Sequence, residues 1–320
     1  QTTNKQYHCG PELLIAQETH RRKYRQSGET FRDSCARVAQ PLADDKEHFH
    51  SLKNLLMEQA FLPGGRIQSS VGSPQQTTAL NCFVSCEIQD SMEGIMDAAK
   101  EAAQTMRLGG GIGFDFSTIR PKDSIITTMG SKSSGAVSFM QIFDAVCSTV
   151  KSAGDRRGAM MGCLRVDHPD IEEFIEAKCN LDNLTNFNIS VAITDEFMEA
   201  VEADKVFELR FKGDTYKKVR ARYLWDKVMR ATYDWAEPGV LFIDNINNMN
   251  NLQYCEYIAA TNPCAEQPLP PYGACLLGSI NLTKMVDLAT AEIDYEKLID
   301  AVHVVVRALD NVIDNTVYPL

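Results

Sequence analysis

No apolar stretch of this chain approaches the length that crosses a bilayer. The opening Gln1-Thr2-Thr3-Asn4-Lys5 leads into no apolar signal segment. Both absences point to a cytosolic chain with no membrane partner. No paired C-x2-C sets occur among the 10 cysteines, so a structural zinc site is not expected. The six histidines show no ligand spacing, and no metal is expected in this chain. Gly111-x-Gly113 is followed by Phe116 rather than a third glycine, so the dinucleotide fingerprint fails. There is no Gly-Lys-Ser/Thr ending, which excludes a P-loop. An excess of positive charge is missing too. At a net −11 the chain is a poor partner for a nucleic-acid polymer, but small nucleotides need only a few local cations. Internal repeats and low-complexity tracts are also absent.

What is present can bury a large core. The chain has 320 residues, 44% of them hydrophobic, enough for one large domain or two ordinary ones. Cysteines stand at 9, 35, 82, 86, 147, 163, 179, 255, 264 and 275. In a reducing compartment most thiols so scattered are packing residues. Cys82-x3-Cys86 is a lone close pair.

Residues 10–60 read as helical, and Lys46 to Ala60 carries Phe49, Leu52, Leu55, Leu56 and Met57 at near-helical spacing. Pro63-Gly64-Gly65 breaks that pattern. A short strand is expected at 80–87, then a helix over 91–108 with Asp90 and Glu93 as its capping box. Further strands are expected at 114–116, 186–192, 206–211 and 240–243. Helices are expected at 137–151, after His168-Pro169-Asp170, and at 196–203, 223–235 and 295–315. Strands alternating with helices indicate an α/β protein with parallel units.

The most telling segment is Asn262-Pro263-Cys264-Ala265-Glu266-Gln267-Pro268-Leu269-Pro270-Pro271-Tyr272-Gly273-Ala274-Cys275. Its prolines exclude a helix or a central strand, leaving an ordered loop. In an extended stretch Asn262, Cys264 and Glu266 would point the same way and face one reacting centre. Taken singly, each has a plainer role: a packing thiol, a turn residue before proline, a solvated carboxylate. The run as a whole is similar to the active-site finger loop of ribonucleotide reductases, above all the cobalamin-dependent members. The similarity continues through Leu277-Gly278-Ser279-Ile280-Asn281-Leu282.

That resemblance implies a ten-stranded α/β barrel of two half-barrels, with the finger loop through its centre and a helical segment before it. It implies a division into a helical segment (1–75), a first half-barrel with effector-binding elements (76–257), the catalytic loop (258–282) and a helix (283–320) leading into a second half-barrel not contained here. Cys264 would carry a thiyl radical, Glu266 would act as base and Asn262 would hold the sugar hydroxyls. Asn81-Cys82-Phe83-Val84 resembles the first redox strand, so Cys82 would form a reversible disulfide with Cys275. Asp90, Ser91, the glycines 109–113 and Arg120 resemble a deoxynucleoside triphosphate effector site. The loop with Arg156 and Arg157 resembles the one that relays effector identity, although Arg-Arg alone is equally a solvated turn.

The implied partners are a ribonucleotide, most often a diphosphate, a thioredoxin-like reductant and a second copy of the chain. The radical source would be adenosylcobalamin or a separate metal-containing radical-generating small subunit. Two other readings stand beside this one. A thiol acyl-transfer enzyme built on Cys264 would need a histidine base, and none lies near in sequence. A non-catalytic nucleotide-binding fragment would fit half a barrel.

Overall fold

The structure is a computed structural model, and it describes residues 9–126, 130–150, 158–180 and 182–319. The chain divides into two compact units. Among the described residues, one is built from 9–81 and 275–319, the other from those within 82–274.

The first unit is mainly helical. Phe31–Leu42 and Lys46–Met57 pack with the long helix Tyr295–Asp314 around a core of Val38, Leu42, Leu52, Leu56, Val305 and Val312. Thr30 and Asp33 close the start of the first of these helices reciprocally, which satisfies backbone donors that a helix end leaves open. Phe61–Pro63 pairs antiparallel with Gly278–Ile280. No helix among the described residues is long and apolar enough to cross a membrane.

The second unit is an α/β layer. Its sheet runs in the order Gly239–Phe242, Phe187–Ile193, Met160–Arg165, Gly111–Asp115, Cys82–Val84, and Ala274–Cys275 at the edge. The first five strands are parallel. The parallel strands are those that the α/β alternation leads one to expect, and the six-stranded sheet is the half-barrel that the resemblance implies. Helices Met92–Arg107 and Ala136–Thr149 follow the strands Cys82–Val84 and Gly111–Asp115. Phe114, Phe116, Phe143 and Phe187 interlock in edge-on and tilted contacts with centroids 4.9–6.3 Å apart. All four are buried, each worth roughly 1.5–3 kcal/mol of apolar burial.

Three elements differ from the sequence expectation. The central strand Met160–Arg165 was not foreseen. It is buried along almost its whole length, so it shows no alternation to read. Val206–Phe211 forms with the expected bounds but pairs antiparallel with Asp214–Arg220 and lies outside the parallel sheet. The capping box of helix Met92–Arg107 is not made by Asp90. Ser91 is the cap, its Oγ accepting from Gly94 N at 3.0 Å, while Asp90 binds Arg120.

Candidate active site

The loop carrying Asn262, Cys264 and Glu266 is the tip of a short antiparallel ribbon, Ala260–Thr261 against Pro268–Leu269. Pro263 takes the second position of a turn in which Ala265 N donates to Asn262 O at 3.0 Å. Asn262 N donates to Gln267 O at 3.2 Å, and Gln267 N donates to Asn262 Oδ1 at 2.9 Å. The extended run expected here therefore does not form. The turn and the left-handed φ of +65° at Ala265 rotate the three side chains apart. Cys264 and Glu266 are exposed, whereas Asn262 is fully buried. Asn262 Oδ1 closes its own loop, and Nδ2 is a buried donor without a partner. A donor left so costs roughly 1–3 kcal/mol.

Shape seats this loop on the sheet. Alternate residues of Gly111–Asp115 face opposite sides. Ile112 and Phe114 are buried in the core, so Gly111 and Gly113 share the other face. A Cβ on Gly113 would stand 1.7 Å from the carbonyl oxygen of Thr261. One on Gly111 would stand 2.8 Å from Pro263 Cγ and 3.3 Å from Cys82 Sγ. The bare strand face thus admits the loop and brings Pro263, next to Cys264, and the Cys82 thiol to one point. Two of the glycines that the resemblance places near an effector phosphate, Gly111 and Gly113, face this loop. Asn188 adds a polar tether, its Nδ2 donating to Pro263 O at 2.7 Å. Cys163 is buried beneath Thr261, and burial pushes its thiol up to about 12, so it packs rather than reacts.

The second group of expected residues is held by charge. Asp90 Oδ1 accepts from Arg120 N and Arg120 Nε, each at 3.0 Å, and Asp90 O accepts from Arg120 Nη2 at 3.1 Å. Lys212 Nζ donates to Asp90 Oδ2 at 3.3 Å. Ser91 sits beside them as the helix cap. Buried Asp170 fixes the segment after Arg120. It accepts from Lys122 N at 3.0 Å and from Ala136 N at 3.0 Å. Arg156 and Arg157 lie outside the described residues. At the end of the strand that carries the two glycines, burial pushes the Asp115 carboxyl up to about 6, against a hydrogen bond from Ser117 and the charge of Arg165.

Residues 80–320 match the family described as ribonucleotide reductase, barrel domain. The chain belongs to the ribonucleotide reductase family. It is 43% identical over 243 residues to the vitamin B12-dependent ribonucleoside-diphosphate reductase of Thermoplasma acidophilum, a match covering 75% of this chain and 31% of that protein. It is 39% identical over 268 residues to the enzyme of the same name from Mycobacterium tuberculosis, covering 83% and 38%. Among solved structures, the class Id ribonucleotide reductase alpha subunit of Actinobacillus ureae superposes with a TM-score of 0.77 at 23% identity, covering 94% of this chain and 54% of that one. The chain thus spans about a third of the length of these curated relatives.

Within this reductase barrel domain the structure brings Cys82 and the finger loop together, and separately Asp90, Ser91 and Arg120. Cys275 is buried and opens the segment assigned to the helical unit. Sequence reasoning overlooked Asn188 and Lys212. A signal for the first was available: an asparagine in the largely apolar, β-prone run Phe187–Ile193, whose one other polar residue is Ser190. Lys212 carried none, because its partner Asp90 is 122 residues away.

Proposed function

We propose that this chain is the catalytic half-barrel of a reductase that replaces the 2′-hydroxyl of a ribonucleoside diphosphate by hydrogen. The observation that carries the reading is the finger-loop tip. It presents Cys264 and Glu266 outward from a turn whose next residue back, Pro263, lies against the same strand position as Cys82. The diphosphate follows the names of the relatives in Thermoplasma and Mycobacterium.

In the proposed cycle the Cys264 thiyl takes the 3′ hydrogen atom, and Glu266 takes the 3′-hydroxyl proton. Loss of the 2′-hydroxyl as water uses a proton from Cys82. Cys82 and Cys275 supply two electrons and become a disulfide, and Cys264 returns its hydrogen to C3′. One ribonucleotide and two thiols thereby give one deoxyribonucleotide, one disulfide and one water. A thioredoxin-like dithiol reduces the disulfide by exchange. The unpaired Nδ2 of Asn262 suits a sugar oxygen as acceptor. An external radical source, adenosylcobalamin by the relatives' names, supplies the one-electron chemistry. An exposed Cys264 suits such a source, as it equally suits a separate radical-generating subunit.

Asp90, Ser91 and Arg120 form the proposed effector site for a deoxynucleoside triphosphate, in a cytosolic homodimer. The acyl-transfer alternative lacks a base. His168, the one histidine of residues 82–274, has Nε2 against Ile119 O at 2.9 Å and Nδ1 against Asp170 N at 3.0 Å.

The test uses the full-length protein with adenosylcobalamin and a dithiol. Cys264→Ser abolishes deoxynucleotide formation and leaves triphosphate binding and melting temperature unchanged, because a serine O–H is too strong to yield the radical. Normal product from Cys264→Ser overturns the mechanism. Activity, binding and stability falling together would make Cys264 a packing residue.

A further inference from the structure

Lys212 stands at the tip of the hairpin Val206–Phe211/Asp214–Arg220, in a two-residue turn with Gly213. Both have positive φ, +50° for Lys212 and +91° for Gly213, the pattern of a primed hairpin turn. Asparagine, aspartate or glycine suits the first of these positions, and lysine there is strained. Its side chain nevertheless makes defined contacts. The ammonium lies 3.3 Å from Asp90 Oδ2 and 5.2 Å from the Phe211 ring centroid. It also lines a polar depression of about 280 Å³ with Ser117, Arg165, Asp167 and Arg210.

Asp90 is the pivot of this arrangement. Its Oδ1 is committed to the backbone and side chain of Arg120, which fixes the carboxylate. Its Oδ2 is shared between Arg120 Nε at 3.1 Å and the exposed Lys212. A deoxyribose hydroxyl donating to Oδ2 competes with Lys212, the more exposed of the two partners. The displaced ammonium stays on the tip of the same hairpin, with room over the depression and a charge that a phosphate group would attract.

We propose that Lys212 is a specificity residue of the nucleotide site: it surrenders Asp90 to the sugar and pairs with the phosphates of the same ligand. This rests on the reading of Asp90 and Arg120 as a deoxynucleoside triphosphate site and adds the hairpin to it. Lys212 then distinguishes a nucleotide from a nucleoside, since only the former offers the ammonium a new partner.

Calorimetry on the full-length protein tests it, with the four deoxynucleoside triphosphates and the deoxynucleoside matching whichever binds. Lys212→Asn weakens triphosphate binding by about fivefold, the upper range for an exposed ion pair. The deoxynucleoside binds equally well or better, because its competitor for Asp90 is gone. Lys212→Arg restores most of the triphosphate affinity. Asparagine suits the turn, so the melting temperature of Lys212→Asn does not fall. Equal triphosphate affinity in wild type and Lys212→Asn overturns the proposal. So does a parallel loss for triphosphate and deoxynucleoside, which would make Lys212 a structural tie. If no triphosphate binds the wild-type protein, the nucleotide-site reading itself fails, and the role of Lys212 with it.

Discussion

The finger loop and the Asp90 corner are held by different forces, although one strand serves both. Gly111 and Gly113 of Gly111–Asp115 meet the loop, and Arg120 follows five residues after the strand ends. The loop is fixed by steric fit, glycine against backbone and proline, with one tether from Asn188. The corner is fixed by ion pairs whose members are partly exposed: Arg120 at 32%, Asp90 at 13% and Lys212 at 65%. Steric fit falls off steeply with distance and gives one geometry, as the proposed chemistry at Cys264 would require. Exposed ion pairs are individually weak and can exchange partners, as the proposed nucleotide site would require. The difference teaches that rigidity and adjustability in this unit follow from the type of contact.

The largest effect should come from breaking the steric fit. Gly113→Ala places a methyl group against an immovable carbonyl and is expected to lower stability by about 3 kcal/mol in denaturant melts, with loss of reductase activity. Gly111→Ala meets a proline ring instead and is expected to cost about 1 kcal/mol. Equal, small effects at both positions would show that shape does not hold the loop.

Asp115, at the opposite end of that strand, sharpens the comparison through pH. Its folded value of about 6 lies above the ordinary 3.8, so the folded protein holds this proton more tightly than the unfolded chain. Its contribution is therefore fully present below about pH 4 and is lost as pH rises to about 6. Asp115→Asn keeps the acceptor for Ser117 and removes the charge. It should raise stability at pH 7 by about 1–2 kcal/mol, with little change at pH 4. Urea unfolding across this range checks it; a constant difference between the two proteins would refute the assignment.

The smallest effect belongs to the single tether. Asn188→Ala removes the donor to Pro263 O and should cost about 1 kcal/mol. The expected signature is a lower kcat with unchanged triphosphate affinity, since the tether serves the loop and not the corner. A change in triphosphate binding alone would contradict the separation drawn between the two regions.

Much of the fold was legible because its signals are local. Helices expected over 91–108, 137–151 and 295–315 form as Met92–Arg107, Ala136–Thr149 and Tyr295–Asp314, since each carries its own apolar stripe. Met160–Arg165 was illegible because burial on both faces leaves no period, and its Met-Met-Gly-Cys opening lacks β-branched residues. Asp90 does not cap the helix because a local cap and a distant arginine compete for one carboxylate, and Arg120 offers it two donors, its backbone N and its Nε.

By itself the sequence determined the chemistry available: which thiols, carboxylates and amides lie on the finger loop, and that prolines keep it from becoming helix or central strand. It also determined the α/β alternation, because side-chain periodicity is written residue by residue. Only the tertiary structure decided which groups meet. It turned Asn262 inward and left Cys264 outward, set Gly111 and Gly113 against the loop, and brought Lys212 to Asp90. Such encounters depend on contacts between residues far apart in the chain, and no local pattern records them.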